Sequence, residues 1–213
     1  ITVLPHNYIA NVTPPTATED GQATYICSNC GDSYTEIIIP SDLTITSNNC
    51  NQIVSGEFPV IPAVVELEGM WDRVTTIGDN AFSRYNYPLM GIEIPTTVTS
   101  IGDSAFAGCG ELMSVKIPDS VTSISDMAFF NCYSLTSITI PVSVKTISNG
   151  AFYYCTNLYS IVLPNSITKI GYLLCEGSSI NTIYYCGSEE EFANIDIHYE
   201  NIAFADAYIV YNY

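Results

Sequence analysis

The stretch that decides the fold is "IGDSAFAGCGELMSVKIPDSVTS", residues 101–123. It is followed at once by "ISDMAFFNCYSLTSITIPVSVKT", residues 124–146, and "ISNGAFYYCTNLYSIVLPNSITK", residues 147–169. Self-similarity at a fixed period is the signature of a repeat architecture. The isoleucine ahead of each "AF" falls at Ile77, Ile101, Ile124, Ile147 and Ile170, at intervals of 24, 23, 23 and 23 residues. Five residues later come Phe82, Phe106, Phe129 and Phe152, with Cys175 in that place in the fifth unit. Leu89, Leu112, Leu135 and Leu158 follow, and Ile180 less regularly. Next are Ile92, Val115, Ile138, Ile161 and Ile183, and two residues on, Ile94, Ile117, Ile140, Leu163 and Tyr185. Pro95, Pro118, Pro141 and Pro164 close four units, each with an apolar residue three places beyond, at Val98, Val121, Val144 and Ile167.

Each segment of the unit has a physical reading. "SVKI" and "SITI" alternate and are β-branched, which suits a short strand with one buried face. Proline ends that strand because it has no N–H for the ladder. "DSAF" and "DMAF" read as a turn or one helical turn. Asp79, Asp103, Asp126 and Asn149 stand just ahead of it, where Asp and Asn cap exposed N–H groups. "VTSI" is a second extended piece. A 23-residue unit cannot bury its own apolar residues, but stacked units can, because each coil covers the next. The expected fold is a solenoid of short parallel strands joined by helical or 3-10 turns, with about 4.8 Å between rungs.

The pattern "IGDSAFAGCGELMSVKIPDSV" resembles the BspA-like class of bacterial leucine-rich repeats, from about Val74 to Pro164. "IPAVVELEGMWDRVTTIGDNAF" is similar to that family's degenerate first unit, and "TIYYCGSEEEFANIDI" to its C-terminal end, with Phe192 where Trp is more usual. The N-terminal "HNYIANVTPPTATEDGQATYICSNCGDSYTEIIIP" resembles a small module of surface proteins from gut Gram-positive bacteria. Ala17 replaces the usual Cys of that module, and the later His is missing. The resemblance implies a secreted or surface-displayed bacterial protein that binds host proteins or other bacteria.

Three parts are expected: a small β-rich module with a polar connection over 1–52, the leucine-rich-repeat solenoid over 53–187, and a C-terminal cap over 188–213. The module carries Pro14-Pro15 and a "DG" turn at Asp20 and Gly21. "SDLTITSNNCNQ" reads as a connection or an irregular strand. "SEEE" is a capping box, with Ser188 as N-cap and Glu191 three later, opening a helix that runs to about Ile195. Two strand-like pieces follow. They are needed because a bare solenoid end exposes its core and its strand edges.

Hydrophobic residues make up 47% of the 213, enough for a real core. The net charge of −17, with only 5 Lys and Arg, repels phosphate backbones and anionic membranes, so no nucleic-acid partner and no membrane insertion are expected. No apolar run is long enough to span a bilayer, and no signal peptide is visible. The chain begins at Ile1 and reads as a piece of something longer, with export signal and anchor elsewhere.

Candidate sites have a bland reading beside the sharp one. Cys27-x-x-Cys30 is half a zinc site completed by His6 or Cys50, or else a local disulfide or two free thiols in a turn. Cys109, Cys132 and Cys155, 23 apart, read as small buried hydrophobes rather than a metal ladder. The column Asp79, Asp103, Asp126, Asn149 offers about one oxygen ligand group per coil, too few for calcium, and reads as turn caps. If Val115 and Ile117 point inward, Lys116 points out. Its column reads Glu93, Lys116, Thr139, Val162 and Tyr184, and these five are the candidate binding residues. Beside it lies a small, flat column, Gly91, Ser114, Ser137, Ser160 and Thr182. The 16 tyrosines suit strands, and also suit stacking on sugars or peptides.

No cofactor is expected. The only histidines are His6 and His198, no nucleophile, P-loop or zinc-protease motif occurs, and no carboxylate pair stands out by its spacing. The chain is therefore read as a non-enzyme. The leading expectation is a surface binding or adhesion module whose partner is a protein or glycan of host or bacterial surfaces. The alternative is a spacer that displays another domain.

Overall fold

Each repeat unit contributes one rung to each of two parallel ladders. The computed structural model describes residues 8–16, 19–28, 33–38, 41–46, 64–67, 70–83 and 89–213. The N-terminal module is an antiparallel sheet of β1 (Tyr8–Thr13), β2 (Gly21–Cys27) and β3 (Ser33–Ile38). The "DG" pair does not make its turn. Gly21 already lies in β2, and the reversal is closed upstream, where the Thr16 N–H donates to the Glu19 carbonyl at 2.9 Å. Gly21 is needed for closeness, since a Cβ there would sit 2.6 Å from the Pro15 nitrogen.

β4 (Ser41–Ile45) is the irregular strand expected of "SDLTI", with a register shift between Leu43 and Thr44. It pairs parallel with β6 (Met70–Ile77), which also takes β5 (Val64–Leu67) as an antiparallel partner. Ten short strands then alternate between two ladders: β7 (Gly91–Glu93), β8 (Ser100–Ile101), β9 (Ser114–Lys116), β10 (Ser123–Ile124), β11 (Ser137–Thr139), β12 (Thr146–Ile147), β13 (Ser160–Leu163), β14 (Lys169–Ile170), β15 (Thr182–Tyr185) and, after α1 (Glu189–Ala193), β16 (Asp196–Ile197). After α2 (Ile202–Ala205), β17 (Tyr208–Tyr211) is the last strand. One ladder runs β4-β6-β8-β10-β12-β14-β16. The other is formed by β7-β9 and by β11-β13-β15-β17. In-register pairs such as Ile138 with Ile161, and Ile124 with Ile147, keep the sequence columns intact.

Between the ladders lies one apolar core. Phe82, Phe106, Phe129 and Phe152 are buried and stack with centroids 4.9, 5.0 and 5.5 Å apart and planes within 13° of parallel. Offset-parallel rings at one rung per coil add to the area they bury.

The "DSAF" segment is not a helix. Its odd amides close single turns: Ala105 N–H donates to the Gly102 carbonyl at 3.3 Å, Ala107 to Ser104 at 3.0 Å and Cys109 to Phe106 at 3.1 Å. Its even amides point along the stack. Ser104 donates to Asp126 at 2.9 Å, Phe106 to Ala128 at 2.8 Å and Gly108 to Phe130 at 2.8 Å. Switching direction at every residue breaks the helical run. It puts left-handed residues at fixed places, namely Asn80, Ser104, Met127, Gly150 and Leu173, with φ between 52° and 57°. Non-glycine residues are held there at a cost of about 1–2 kcal/mol each. Gly150 fits without that cost, and a Cβ on it would meet Met127 Sδ at 2.8 Å.

The Asp column does cap N–H groups, but in the next coil rather than in its own turn. Asp103 N–H donates to Asp79 Oδ1 at 2.8 Å, Asp126 N–H to Asp103 Oδ1 at 3.1 Å and Asn149 N–H to Asp126 Oδ1 at 2.9 Å. Asn149 Oδ1 continues the series by accepting the Tyr172 N–H at 3.2 Å. Serines form a second ladder beyond the prolines. Ser120 Oγ donates to the Val98 carbonyl, Ser143 to Val121 and Ser166 to Val144.

The C-terminal segment extends both ladders. β16 pairs parallel with β14, and β17 with β15. Its capping box is formed as expected, with Ser188 Oγ accepting the Glu191 N–H, and α1 ends at Ala193. Hydrogen bonds from Ser188 hold the Glu191 carboxyl below its usual range. The buried Asn201 stands in for a missing coil. Its Oδ1 accepts the Leu174 N–H at 2.7 Å and its Nδ2 donates to the Gly171 carbonyl at 2.8 Å.

Three substitutions test this bonding. Asp126→Ala orphans the Asn149 amide and is expected to cost about 1–2 kcal/mol. Asp126→Asn keeps the acceptor for the Asn149 amide but loses the 3.3 Å bond from Asn149 Nδ2 to Asp126 Oδ2, and costs less than the Ala variant, about 0.5–1 kcal/mol. Asn201→Ala leaves two buried backbone groups unpaired and costs about 2–4 kcal/mol. Urea denaturation reads all three, and equal losses for the two Asp126 variants would refute the inter-coil cap.

Candidate binding surface

The sequence-predicted column assembles on the outward side of the second ladder. Glu93 and Lys116 are register partners at the ends of β7 and β9, and both are exposed. Thr139, Val162 and Tyr184 are consecutive partners across β11, β13 and β15; Thr139 is exposed and the other two half-buried. Inward neighbours Ile138, Ile161, Ile183 and Leu163 are fully buried, and this alternation turns the five side chains outward. The adjacent small column is also in register, Gly91 with Ser114, and Ser137 with Ser160 and Thr182.

The two charged members of the column hold each other. Lys116 Nζ donates to Glu93 Oε1 at 2.9 Å. With both ends solvent-exposed, such a pair contributes no more than about 1 kcal/mol. Towards the C-terminus the face becomes aromatic. Tyr159 (47% exposed) leads into β13, Tyr208 (73%) opens β17, and Tyr213 (65%) packs on Tyr184 with centroids 4.5 Å apart. The small column ends on Tyr208, the register partner of Thr182. The sequence hid that residue because the last coil is longer than 23, with Ile170 pairing with Ile197 and Thr182 with Tyr208.

The other candidates resolve differently. The Cys109, Cys132 and Cys155 thiols are buried in the core and donate to the Phe82, Phe106 and Phe129 carbonyls at 3.5, 3.2 and 3.0 Å. A bond with the Cys155 thiol, together with burial, pushes the Cys132 thiol well up; burial does the same for Cys175. His6, Cys30 and Cys50 lie outside the described residues, and with them the Cys27-x-x-Cys30 reading. Among the described residues, no group of three or more His, Cys, Asp or Glu is gathered to hold a metal. No described helix is long and apolar enough to cross a membrane. At the last coil, Phe192, Ile197, His198, Tyr199, Phe204 and Ile209 help line a mainly apolar cavity of about 300 Å³. The polar atoms of Asn201 at its wall are already bonded inward.

The family follows from this geometry together with the sequence. The BspA type leucine rich repeat region matches residues 75–202 in six copies, and the chain belongs to that family. A leucine rich repeat protein from T. pallidum is similar in structure, with a TM-score of 0.53 and 30% identity over 61% of this chain and 58% of that one. A leucine rich cell surface protein from Faecalibacterium prausnitzii A2-165 has a TM-score of 0.54 and 23% identity over 96% of this chain and 55% of that one. The chain thus spans little more than half the length of either. No curated protein matches the sequence.

Buried, protonated thiols are poor nucleophiles. Iodoacetamide at neutral pH is therefore expected to alkylate half-buried Cys186 ahead of Cys109, Cys132, Cys155 and Cys175, which react only on denaturation. Peptide mapping by mass spectrometry gives the order, and native labelling of Cys132 as fast as Cys186 would count against the burial of the column.

Proposed function

We propose that the chain is a binding module of a bacterial surface or secreted protein, and that the outward face of the second ladder is its contact surface. The observation that carries this reading is the contrast between the two sides of the same strands. Inward positions repeat Ile, Val and Leu, while the outward column runs Glu93, Lys116, Thr139, Val162, Tyr184 with no packing role in common. Solenoids use extended faces of this kind to hold partners. The family assignment supports a protein-binding role, and the surface location is carried over from the cell-surface description of the F. prausnitzii protein.

The test is a binding screen of the chain against immobilised host matrix proteins and a glycan array, beside a variant with Lys116→Ala, Thr139→Ala, Val162→Ser and Tyr184→Ala. The expected result is a specific signal that the variant loses by at least tenfold. A signal that survives the substitutions would move the contact to the N-terminal sheet or the last coil. Silence from both proteins would favour a spacer.

A further inference from the structure

We propose that the aromatic end of this face, formed by Tyr159, Tyr184, Tyr208 and Tyr213, is a platform for a neutral oligosaccharide. The proposal rests on the binding reading above and names the partner's chemistry. No strand residue of the four-stranded sheet β11-β13-β15-β17 is Asp, Glu, Lys or Arg. The chain as a whole carries 22 acidic residues and a net charge of −17. The other ladder carries charge near its two ends, Asp72 and Arg73 on β6 and Lys169 and Asp196 on β14 and β16, with Lys169 Nζ 3.8 Å from Asp196 Oδ2, while β8, β10 and β12 between them are uncharged. A basic partner would find no ion pair on the uncharged sheet, and an acidic one would be repelled by its surroundings.

What the sheet offers instead is rings and hydroxyls. A pyranose has apolar C–H faces that stack on tyrosine rings and a rim of hydroxyls that bond to small alcohols and amides. Ser160 follows Tyr159 on the same rung, Thr182 is on the rung between Ser160 and Tyr208, and Thr182 Oγ1 is oriented by a 2.8 Å bond to Asn181 Oδ1. Tyr159 and Tyr208 flank β15, so they are two rungs apart, about 10 Å. The rung spacing is close to the advance per sugar of an extended glycan, so successive sugars can meet successive coils.

The probes are neutral hexasaccharides of glucose, mannose, xylose and N-acetylglucosamine, with hyaluronate and polygalacturonate as anionic controls, titrated calorimetrically into the whole chain. At least one neutral sugar is expected to bind and both anions to fail. Tyr159→Ala and Tyr208→Ala each weaken binding about tenfold, the order of one aromatic contact, while Tyr208→Phe keeps it. Both positions are exposed, and unchanged melting temperatures exclude unfolding as the cause. Three results would overturn the proposal: no neutral sugar bound, anions bound as well, or binding indifferent to the tyrosines. If a protein ligand from the screen above is lost in the four-residue variant while every sugar fails, the binding reading stands and the saccharide platform falls.

Discussion

The amide of Ser104 donates to the carbonyl of Asp126, one coil on, and the same bond recurs from Asn80 to Asp103 and from Met127 to Asn149. A coil this short has no second layer of its own, so its backbone polar groups must be met by the coil beside it. At the strands a parallel ladder does this without special residues. At the corner the chain has to turn and still aim amides along the stack. Alternating the direction of successive amides solves both problems, and left-handed backbone at fixed places in every coil is the consequence. The cost at Met127 and Leu173 is tolerated because an unpaired buried amide would cost as much or more.

The side chains obey the same constraint. Asp79, Asp103 and Asp126 are brought about one rung apart, where like charges oppose stacking. Each carboxylate nonetheless accepts the next coil's amide, a charge-assisted bond of the stronger kind. Asn149 ends the charged run while keeping the acceptor. The cysteines are buried, with a Phe carbonyl of the preceding coil within reach as acceptor.

The period made the solenoid legible, because spacings of 23 repeat only if identical side chains meet identical surroundings. The inward columns were legible for the same reason. The Asp column was legible as a cap but not in its direction, since turn chemistry looks the same from sequence whether the amide it meets is three or 23 residues away. The reversal near Thr16 was misplaced because Asp-Gly is a strong hairpin signal, whereas Gly21 serves here to pass close to Pro15. The outward column could be located by alternation alone. Its aromatic extension could not, because tyrosine suits buried strands and exposed faces alike. Nor does a 23-residue template reach Tyr208, whose coil is lengthened by α1 and α2.

That lengthening ties the end of the fold to the end of the face. In the inner coils the amide of Ala105 meets the carbonyl of Gly102, and that of Ala128 meets Ser125. In the fifth coil the equivalent pair, Leu174 and Gly171, is instead held apart by the Asn201 side chain, whose amide supplies one acceptor and one donor. The phenylalanine stack has already stopped, with Cys175 in place of a ring. Freed from the repeat's packing, the last coil takes a different route, through two short helices, and still returns β17 to the outward sheet in register with β15. Bringing β17 back also covers the edge that β15 would otherwise leave open. By completing the ladder, the terminal coil adds one more uncharged row to the outward sheet, so the end of the solenoid extends that face as well as closing the core.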